Sequence, residues 1–549
     1  MATVLLDSPE PSREDVSRSQ AADARPRVAG SQEAPSKGFT ILLLAVLAAY
    51  VGGFVYATGD CFVDDAYIGF QYLRNWIAGD GFVFNVGDPA VEGVTNIGWL
   101  LLLAPFAAAG GPMFAAKAVG LALVLCVLAL THWLGRALAA RSESMAELSG
   151  LALVPVVLLA TSFDFVYFSV AGMETALLAA VLLLMAWVAL RRPGSLWLPV
   201  IGTYAFLVHP ETVLVYPFYC LLSLTAPNVD VRRLLLGNLV LAALLGTVTG
   251  VRYAVFHDVV PNTFHSKPSD WSQIVAGGYG ILMGRSQNIP FPITGWLALP
   301  VLALGYVRLR RLAPGAAAML GAITLSGFAF AVYSPPDWTQ MARYFAPYLP
   351  AVLIVFWAGL IDLTERLLRR ASQSTVPALV RLGVTAVLVL TGLFYGSAKM
   401  AAMESFPGYI LSGRNLVGPS IWIRDHLPDG ATVASRRIGA LAYYSRKRVF
   451  DYTYGLPDRQ VAGLVADIGH RIDLPTDPAL APLWKARSPD YLLEDRHVID
   501  LILSDTGGSD RRFAIHGRWY RVAQRFPIGR DQQWLLAERI VPERPESGG

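Results

Sequence analysis

The sequence predicts an α-helical polytopic membrane protein of about eleven transmembrane helices, followed by a C-terminal extracytoplasmic α/β domain. Three observations predict it. Of the 549 residues, 54% are hydrophobic and only 16% charged, with a mean hydropathy of +0.46, outside the range of an ordinary soluble domain. Apolar runs alternate with short basic clusters over most of the chain. Beyond Met400 the hydrophobic density drops, and short strand and helix patterns replace the runs.

The composition also excludes function classes. A net charge of +4 is small, and Lys and Arg gather at the ends of apolar runs instead of forming one basic face. That is a topology signal, not a nucleic-acid surface. Cys61, Cys126 and Cys220 have no paired spacing, and two of them fall inside apolar runs, so neither a disulfide framework nor a thiolate metal site is expected.

Residues 1–37 are rich in Ser, Ala, Arg, Asp, Glu and Pro and lack large apolar clusters, which predicts a disordered cytoplasmic tail. The transmembrane region, 38–400, begins with the run Phe39–Ala57. No small-residue cleavage site follows it, so it reads as a retained span and not as a signal peptide. A first outer loop covers 58–112. In it, Asp64 and Asp65 open a helix whose Ile68, Tyr72, Leu73, Trp76 and Ile77 share one face, opposite Gln71, Arg74 and Asn75, as in an interfacial helix. Turns at Gly79-Asp80-Gly81 and Val86–Pro89 follow. The segment Ile97–Gly110 is short for a span and reads as a juxtamembrane helix.

The remaining spans are expected at 114–135, 149–170, 174–190, 196–208, 210–226, 234–256, 292–308, 315–333, 345–363 and 378–398. Basic clusters stand at Arg136 with Arg141, Arg191-Arg192, Arg232-Arg233, Arg308–Arg311 and Arg366–Arg370. All of them share the side of the N-terminal tail if 97–110 does not cross, as the positive-inside rule requires. In the soluble domain, 401–549, a strand at 431–434, a helix at 438–444 and a strand at 449–452 suggest a βαβ-like unit, with further strands near 490–493 and 533–537. An odd number of spans puts this domain outside.

The same topology gathers Asp64-Asp65, the Ser169–Thr175 turn, His209-Pro210-Glu211, Pro261–Lys267 and Pro335–Tyr344 at the outer leaflet. Asp64 also fits an N-cap, and Glu174 fits a carboxylate complementing a helix dipole. A histidine, a proline break and a glutamate within a long apolar stretch are costly unless they line a wet cavity, which favours a functional His209 and Glu211. Lys267, His265 and Arg343 are ordinary loop residues until they share a face with two carboxylates. A phosphate leaving group needs such cations, and a hydroxyl nucleophile needs such a base. Neither a Gly-rich phosphate loop, a His-Glu-x-x-His zinc pair nor a Ser-centred elbow appears.

Several stretches together carry a resemblance: Val63-Asp-Asp-Ala-Tyr-Ile68, Gly81-Phe-Val-Phe-Asn85, Val91-Glu-Gly-Val-Thr-Asn96, Gly172-Met-Glu-Thr175, Pro261-Asn-Thr-Phe-His-Ser-Lys267, Asp337-Trp338 with Arg343-Tyr344, and Gly439-Ala-Leu-Ala-Tyr-Tyr444 followed by Asp451. The chain resembles the GT-C superfamily of integral-membrane glycosyltransferases that use polyprenyl-phosphate-linked sugars, in particular its bacterial branch of arabinofuranosyl- and mannosyltransferases of the cell envelope. The resemblance runs from the first span into the C-terminal domain. It implies a GT-C type fold, an acidic base in the first outer loop, here Asp64 or Asp65, and a cleft open to the outer leaflet for the lipid donor. One departure is His209-Pro-Glu211, where the family more often has Arg-Pro-Glu; a histidine makes any phosphate contact there depend on pH.

The expected activity is transfer of an arabinofuranose- or mannose-like sugar from a polyprenyl-phosphate donor to a hydroxyl of an envelope glycan, lipid or protein, at the outer face of a bacterial cytoplasmic membrane. Asp64 is read as the base and Asp65 as its helper. Lys267, His265, Arg343 and His209 are read as donor-phosphate residues, and Glu92, Asn96, Glu174, Glu211, Asn262, Asp337 and Trp338 as sugar or acceptor residues. Asp64, Asp65 and Glu174 leave a divalent cation open as a cofactor. The rival readings are a transporter or flippase of a lipid-linked sugar, which predicts inverted repeats and midplane charges, and a non-catalytic envelope-assembly partner.

Overall fold

The computed structural model describes residues 37–59, 61–142, 153–226, 229–266, 271–283, 293, 295–334, 342–368, 412–507, 512–528 and 533–541. The expected tail, apart from Lys37, and the expected span at 378–398 lie outside the described residues.

The first half of the chain is helical because its long apolar runs leave backbone groups no polar partner but one another. After α1 (Lys37–Thr58) come α2 (Asp64–Ala78), α3 (Ile97–Gly110) and α4 (Pro112–Ala139). The run expected as one span at 149–170 is instead two helices, α5 (Val154–Ala160) and α6 (Phe163–Val170). They part at Thr161-Ser162, where the Ser162 hydroxyl accepts the Phe165 N–H and restarts the helix. α7 (Thr175–Arg191) leaves α6 at 112°, across a turn in which Gly172 takes a φ of +91°, a left-handed value that suits glycine.

Next are α8 (Trp197–Val208), a 3₁₀ turn at Pro210–Leu214, and α9 (Val215–Ser223). The span expected at 210–226 is therefore shortened, since Pro210 has no N–H to extend α8. The long α10 (Val231–Phe256), the short α11 (Asn262–His265), α12 (Trp271–Leu282), α13 (Ala298–Leu312), α14 (Pro314–Tyr333) and α15 (Leu349–Leu368) complete this half. Among the described residues, α4, α10, α14 and the stretch 346–366 that includes most of α15 are long and apolar enough to cross a membrane, and the bent α6–α7 pair adds one more if it forms a single span. Apolar but shorter helices include α3 and α8.

The C-terminal part is α/β. It contains α16 (Ser412–His426), β1 (Thr432–Ser435), α17 (Gly439–Ser445), β2 (Arg448–Asp451), α18 (Arg459–Ile468), α19 (Ala481–Arg487), β3 (Tyr491–Asp495), α20 (Arg496–Thr506), β4 (Arg512–Ile515), β5 (Arg518–Pro527) and β6 (Gln533–Ile540). The strands form one six-stranded sheet in the order β2-β1-β3-β6-β5-β4, with β1 parallel to both β2 and β3 and the rest antiparallel. Trp484, Tyr452, Phe513 and Tyr520 fill the core on one side of it.

Helix α2 lies between the two halves, and its burial departs from the expected two-faced pattern. Trp76 and Ile77 are exposed, whereas Gln71 and Asn75, expected on the polar face, are buried. Their side-chain amides donate to the carbonyls of Val83 and Phe84, so the loop after α2 folds back over the helix and takes up the polar groups. The same loop covers the edge strand of the sheet: Asn85 exchanges two hydrogen bonds with the backbone of Val449, and Arg448 pairs with Asp88.

Candidate active site

The acidic pair divides its labour because consecutive helical residues point about 100° apart. Val63, not Asp64, occupies the N-cap position of α2, and Asp64 caps a different helix. Its Oδ1 accepts the N–H of Ala440 at 2.9 Å and its Oδ2 the N–H of Gly439 at 3.2 Å, closing the amino end of α17. The contact is so close that a Cβ on Gly439 would lie 1.9 Å from the Asp64 carbonyl oxygen, so only glycine fits. Burial pushes the Asp64 carboxyl above the usual carboxylate range, while the Ala440 N–H and the Arg437 charge pull it back. At the other end of α17, Arg74 donates to the carbonyl of Tyr443 at 2.6 Å, and the rings of Tyr67, Phe70, Tyr443 and Tyr444 interlock between the two helices.

Both Asp64 oxygens accept backbone N–H groups in a buried contact, a setting in which the carboxylate, expected as the base, acts as a cap. Asp65 is placed differently. Its side chain is 32% exposed, and its Oδ2 accepts a 2.6 Å hydrogen bond from Nη1 of Arg343, which is itself 7% exposed. Arg343 also donates from Nη2 to the Tyr344 hydroxyl at 3.0 Å and lies over that ring.

Next to this pair is a second polar group. Phe330 bridges the two, packing edge-on against Tyr344 at 5.4 Å and His209 at 5.7 Å. His209 Nδ1 meets Glu211, and its Nε2 lies 3.9 Å from Glu174. Glu174 accepts from Asn96 Nδ2 at 2.7 Å, and Glu211 accepts from the Tyr348 hydroxyl at 3.1 Å. The remaining Asn96 oxygen is buried with no hydrogen-bond partner among the described residues, an acceptor suited to a hydroxyl. The breaks before α7 and after α8 produce this group, since each presents polar side chains where an apolar helix is interrupted.

Other expected residues lie elsewhere. Glu92 is 2% exposed and grips Arg252 on α10 through two hydrogen bonds, at 2.5 and 3.1 Å. Asn262 donates to the carbonyls of Gly455 and Leu456. Both, expected to contact sugar, tie the first outer loop, α10 and the C-terminal part together, because a buried charge or amide must be satisfied from within. His265, with its side chain 38% exposed, faces Asp258 at 3.4 Å. Lys267, Asp337 and Trp338 lie outside the described residues.

Three cations escaped the sequence reading. Lys117 places Nζ 3.5 Å from the Cys61 carbonyl and 4.8 Å over the Phe62 ring. Arg414 reaches Sγ of Cys61 at 3.9 Å, and Arg437 lies near enough to Asp64 to act on its carboxylate. Lys117 had a readable signal, as a charge well inside an apolar helix. The two arginines had none, since only the folding of α16 and α17 onto α2 brings them there.

The donor set does not suit a divalent cation. Asp64 is taken by backbone N–H groups, Asp65 by Arg343 and Glu174 by Asn96, and among the described residues no three His, Cys, Asp or Glu side chains come together in a group that could hold a metal ion.

Residues 413–540, from α16 to the end of β6, match a family described as a domain of unknown function, DUF8728. The terminal β-(1→2)-arabinofuranosyltransferase of Mycobacterium tuberculosis is 29% identical over 320 residues, which cover 49% of this chain and 47% of that protein. The chain thus spans about half the length of this curated relative. The backbone superposes on the crystal structure of ArnT from Cupriavidus metallidurans bound to undecaprenyl phosphate with a TM-score of 0.53, at 14% identity, over 91% of this chain and 98% of that one. The chain has the GT-C fold. A second GT-C neighbour is the archaeal oligosaccharyltransferase AglB from Archaeoglobus fulgidus, in complex with an inhibitory peptide and a dolichol-phosphate, with a TM-score of 0.52 at 11% identity over 85% of this chain and 70% of that one. The GT-C likeness extends over both halves, so the helical part and the sheet belong to one architecture.

Proposed function

We propose that this protein is a glycosyltransferase that moves one sugar from a polyprenyl-phosphate donor to a hydroxyl of a cell-envelope glycan, lipid or protein, at the outer face of the bacterial cytoplasmic membrane. The acceptor hydroxyl gives its proton to Asp65, its oxygen bonds to the anomeric carbon, and the bond from that carbon to the phosphate oxygen breaks. The electron pair leaves with the phosphate, whose growing charge Arg343 stabilises. Asn96, Glu174, His209 and Glu211 hold the sugar hydroxyls. Arabinofuranose is the sugar favoured, on the likeness to the mycobacterial arabinofuranosyltransferase.

The observation that carries this reading is the Asp65–Arg343 pair, a part-exposed carboxylate held by a buried guanidinium beside the polar group around His209. The two charges neutralise each other. A phosphate that draws Arg343 away leaves Asp65 as a stronger acceptor of protons. In the accompanying topology, α3 does not cross, the basic clusters are cytoplasmic, and the site and the C-terminal domain face outward.

The test is release of polyprenyl phosphate by the purified protein in lipid nanodiscs, offered a panel of polyprenyl-phosphate sugars with a crude envelope acceptor. Turnover of a furanose donor in preference to hexose donors is expected. Binding of donors with no turnover of any of them would replace the transferase reading with that of a carrier or an assembly partner.

A further inference from the structure

Asp451, the last residue of β2, is a buried carboxylate that the proposed transfer does not use. Its Oδ1 accepts the N–H groups of Thr453 and Tyr454, each at 3.1 Å, and its Oδ2 accepts that of Leu456 at 2.8 Å. These bonds wrap residues 452–456 into a turn around the carboxylate. Burial pushes the Asp451 carboxyl up to about 6, while the same N–H groups pull it back down.

The turn presents two carbonyls to the helical half. Asn262, at the start of α11, donates Nδ2 to those of Gly455 and Leu456 at 2.7 and 2.9 Å, and its backbone N–H to the Glu92 carbonyl at 2.9 Å. The Leu456 carbonyl also abuts Gly93, where a Cβ would lie 2.7 Å from it and 2.6 Å from the Tyr72 hydroxyl. That hydroxyl donates to the Val91 carbonyl at 2.8 Å and accepts the Gly93 N–H at 3.2 Å. With Glu92 gripping Arg252, residues 91–93 are clamped between α2, α10, α11 and the Asp451 turn. Three residues further on is Asn96, whose amide donates to Glu174 and whose oxygen has no hydrogen-bond partner among the described residues.

We propose that Asp451 is a positioning residue for the transfer reaction: the turn it folds holds residues 91–93 through Asn262 and Gly93, and so sets where Asn96 meets the sugar of the donor. The inference rests on the glycosyltransferase reading and deepens it. A displaced clamp pulls on Asn96 across only three residues, a length of at most about 10 Å. The domain of unknown function then takes part in sugar recognition with no side chain of its own on the sugar.

The experiment is a double-mutant cycle on the full chain in lipid nanodiscs, read as kcat/KM with the polyprenyl-phosphate sugar that the donor panel shows to be turned over. Thermal unfolding is followed on the same samples. Asn262→Ala removes the link without touching the Asp451 carboxylate, and it is expected to lower kcat/KM about tenfold. In an Asn96→Ala background the same substitution is expected to cost less than about twofold, because the residue it acts through is gone. Asp451→Asn, which keeps one acceptor oxygen, is taken through the same cycle with the same expectation, and it decides if Asn262→Ala does not fold. Binding of undecaprenyl phosphate, which carries no sugar, is expected to be unchanged in Asn262→Ala. An equal loss in both backgrounds, or no loss in either, would overturn the positioning role and leave the transferase reading standing. So would a matching fall in affinity for undecaprenyl phosphate, as the mark of a general disturbance of the site. No turnover of any donor by the unaltered protein would remove the transferase reading together with this one.

Discussion

Asp64 and Asp65 are neighbours in sequence and have opposite surroundings. One carboxylate is buried against two backbone N–H groups, and the other is part-exposed on a guanidinium. The sequence could locate the pair but not choose between its members, because the choice depends on α17, which lies about 375 residues further along the chain. His209 and Glu211 were legible, since polar side chains at a break in an apolar stretch need a reason, whereas Glu174 and Asn96 join them only in the fold. A further titratable residue with a measurable consequence is Glu494. It is fully buried in β3, where the Tyr452 hydroxyl and the Arg436 N–H each donate to it at 2.8 Å, and burial pushes its carboxyl from 4.5 up to about 7. A carboxyl with a raised folded value stabilises the fold below its unfolded value, and that contribution is lost as pH rises through the folded one. Unfolding midpoints of the intact protein are therefore expected to fall between about pH 5 and about pH 7.5, with Glu494→Gln reducing the slope. Parallel slopes in the two proteins would contradict this.

At the scale of elements, α2 carries the most weight. It is gripped by α17 at both ends, covered by its own following loop and packed against α3. Periodicity gave its extent closely, yet placed the buried Gln71 and Asn75 on an open face, because an amphipathic pattern cannot report the loop that folds back over them. The same holds for the Glu92–Arg252 pair, whose members are 160 residues apart. Arg252→Ala leaves Glu92 as an uncompensated buried charge and is expected to destabilise the protein by about 3–5 kcal/mol, read as a lower denaturation midpoint in detergent. Arg252→Ala with Glu92→Gln should recover part of that loss. A single substitution with a midpoint equal to that of the unaltered protein would show the clasp to be dispensable. The broken pair α5 and α6 was read as one continuous span, since hydropathy averages over a Ser cap that the backbone cannot ignore.

At the scale of the whole molecule, the parallel β1-α17-β2 unit followed from its strand, helix and strand pattern. What composition could not reveal is that the halves meet along α2. The contact is made from single residues of ordinary type, a glycine, an aspartate and a few arginines, whose meaning comes only from where the sheet docks. The central claim is that Asp65 removes the acceptor proton while Asp64 holds the C-terminal domain in place. The most direct measurement is release of polyprenyl phosphate by Asp65→Asn and Asp64→Asn in nanodiscs, with thermal unfolding followed on the same samples. Asp65→Asn is expected to lose at least about a hundredfold in turnover while it still binds donor, whereas Asp64→Asn unfolds at a lower temperature and keeps measurable turnover. Full turnover in Asp65→Asn, with Asp64→Asn inactive but as stable as the unaltered protein, would contradict the claim.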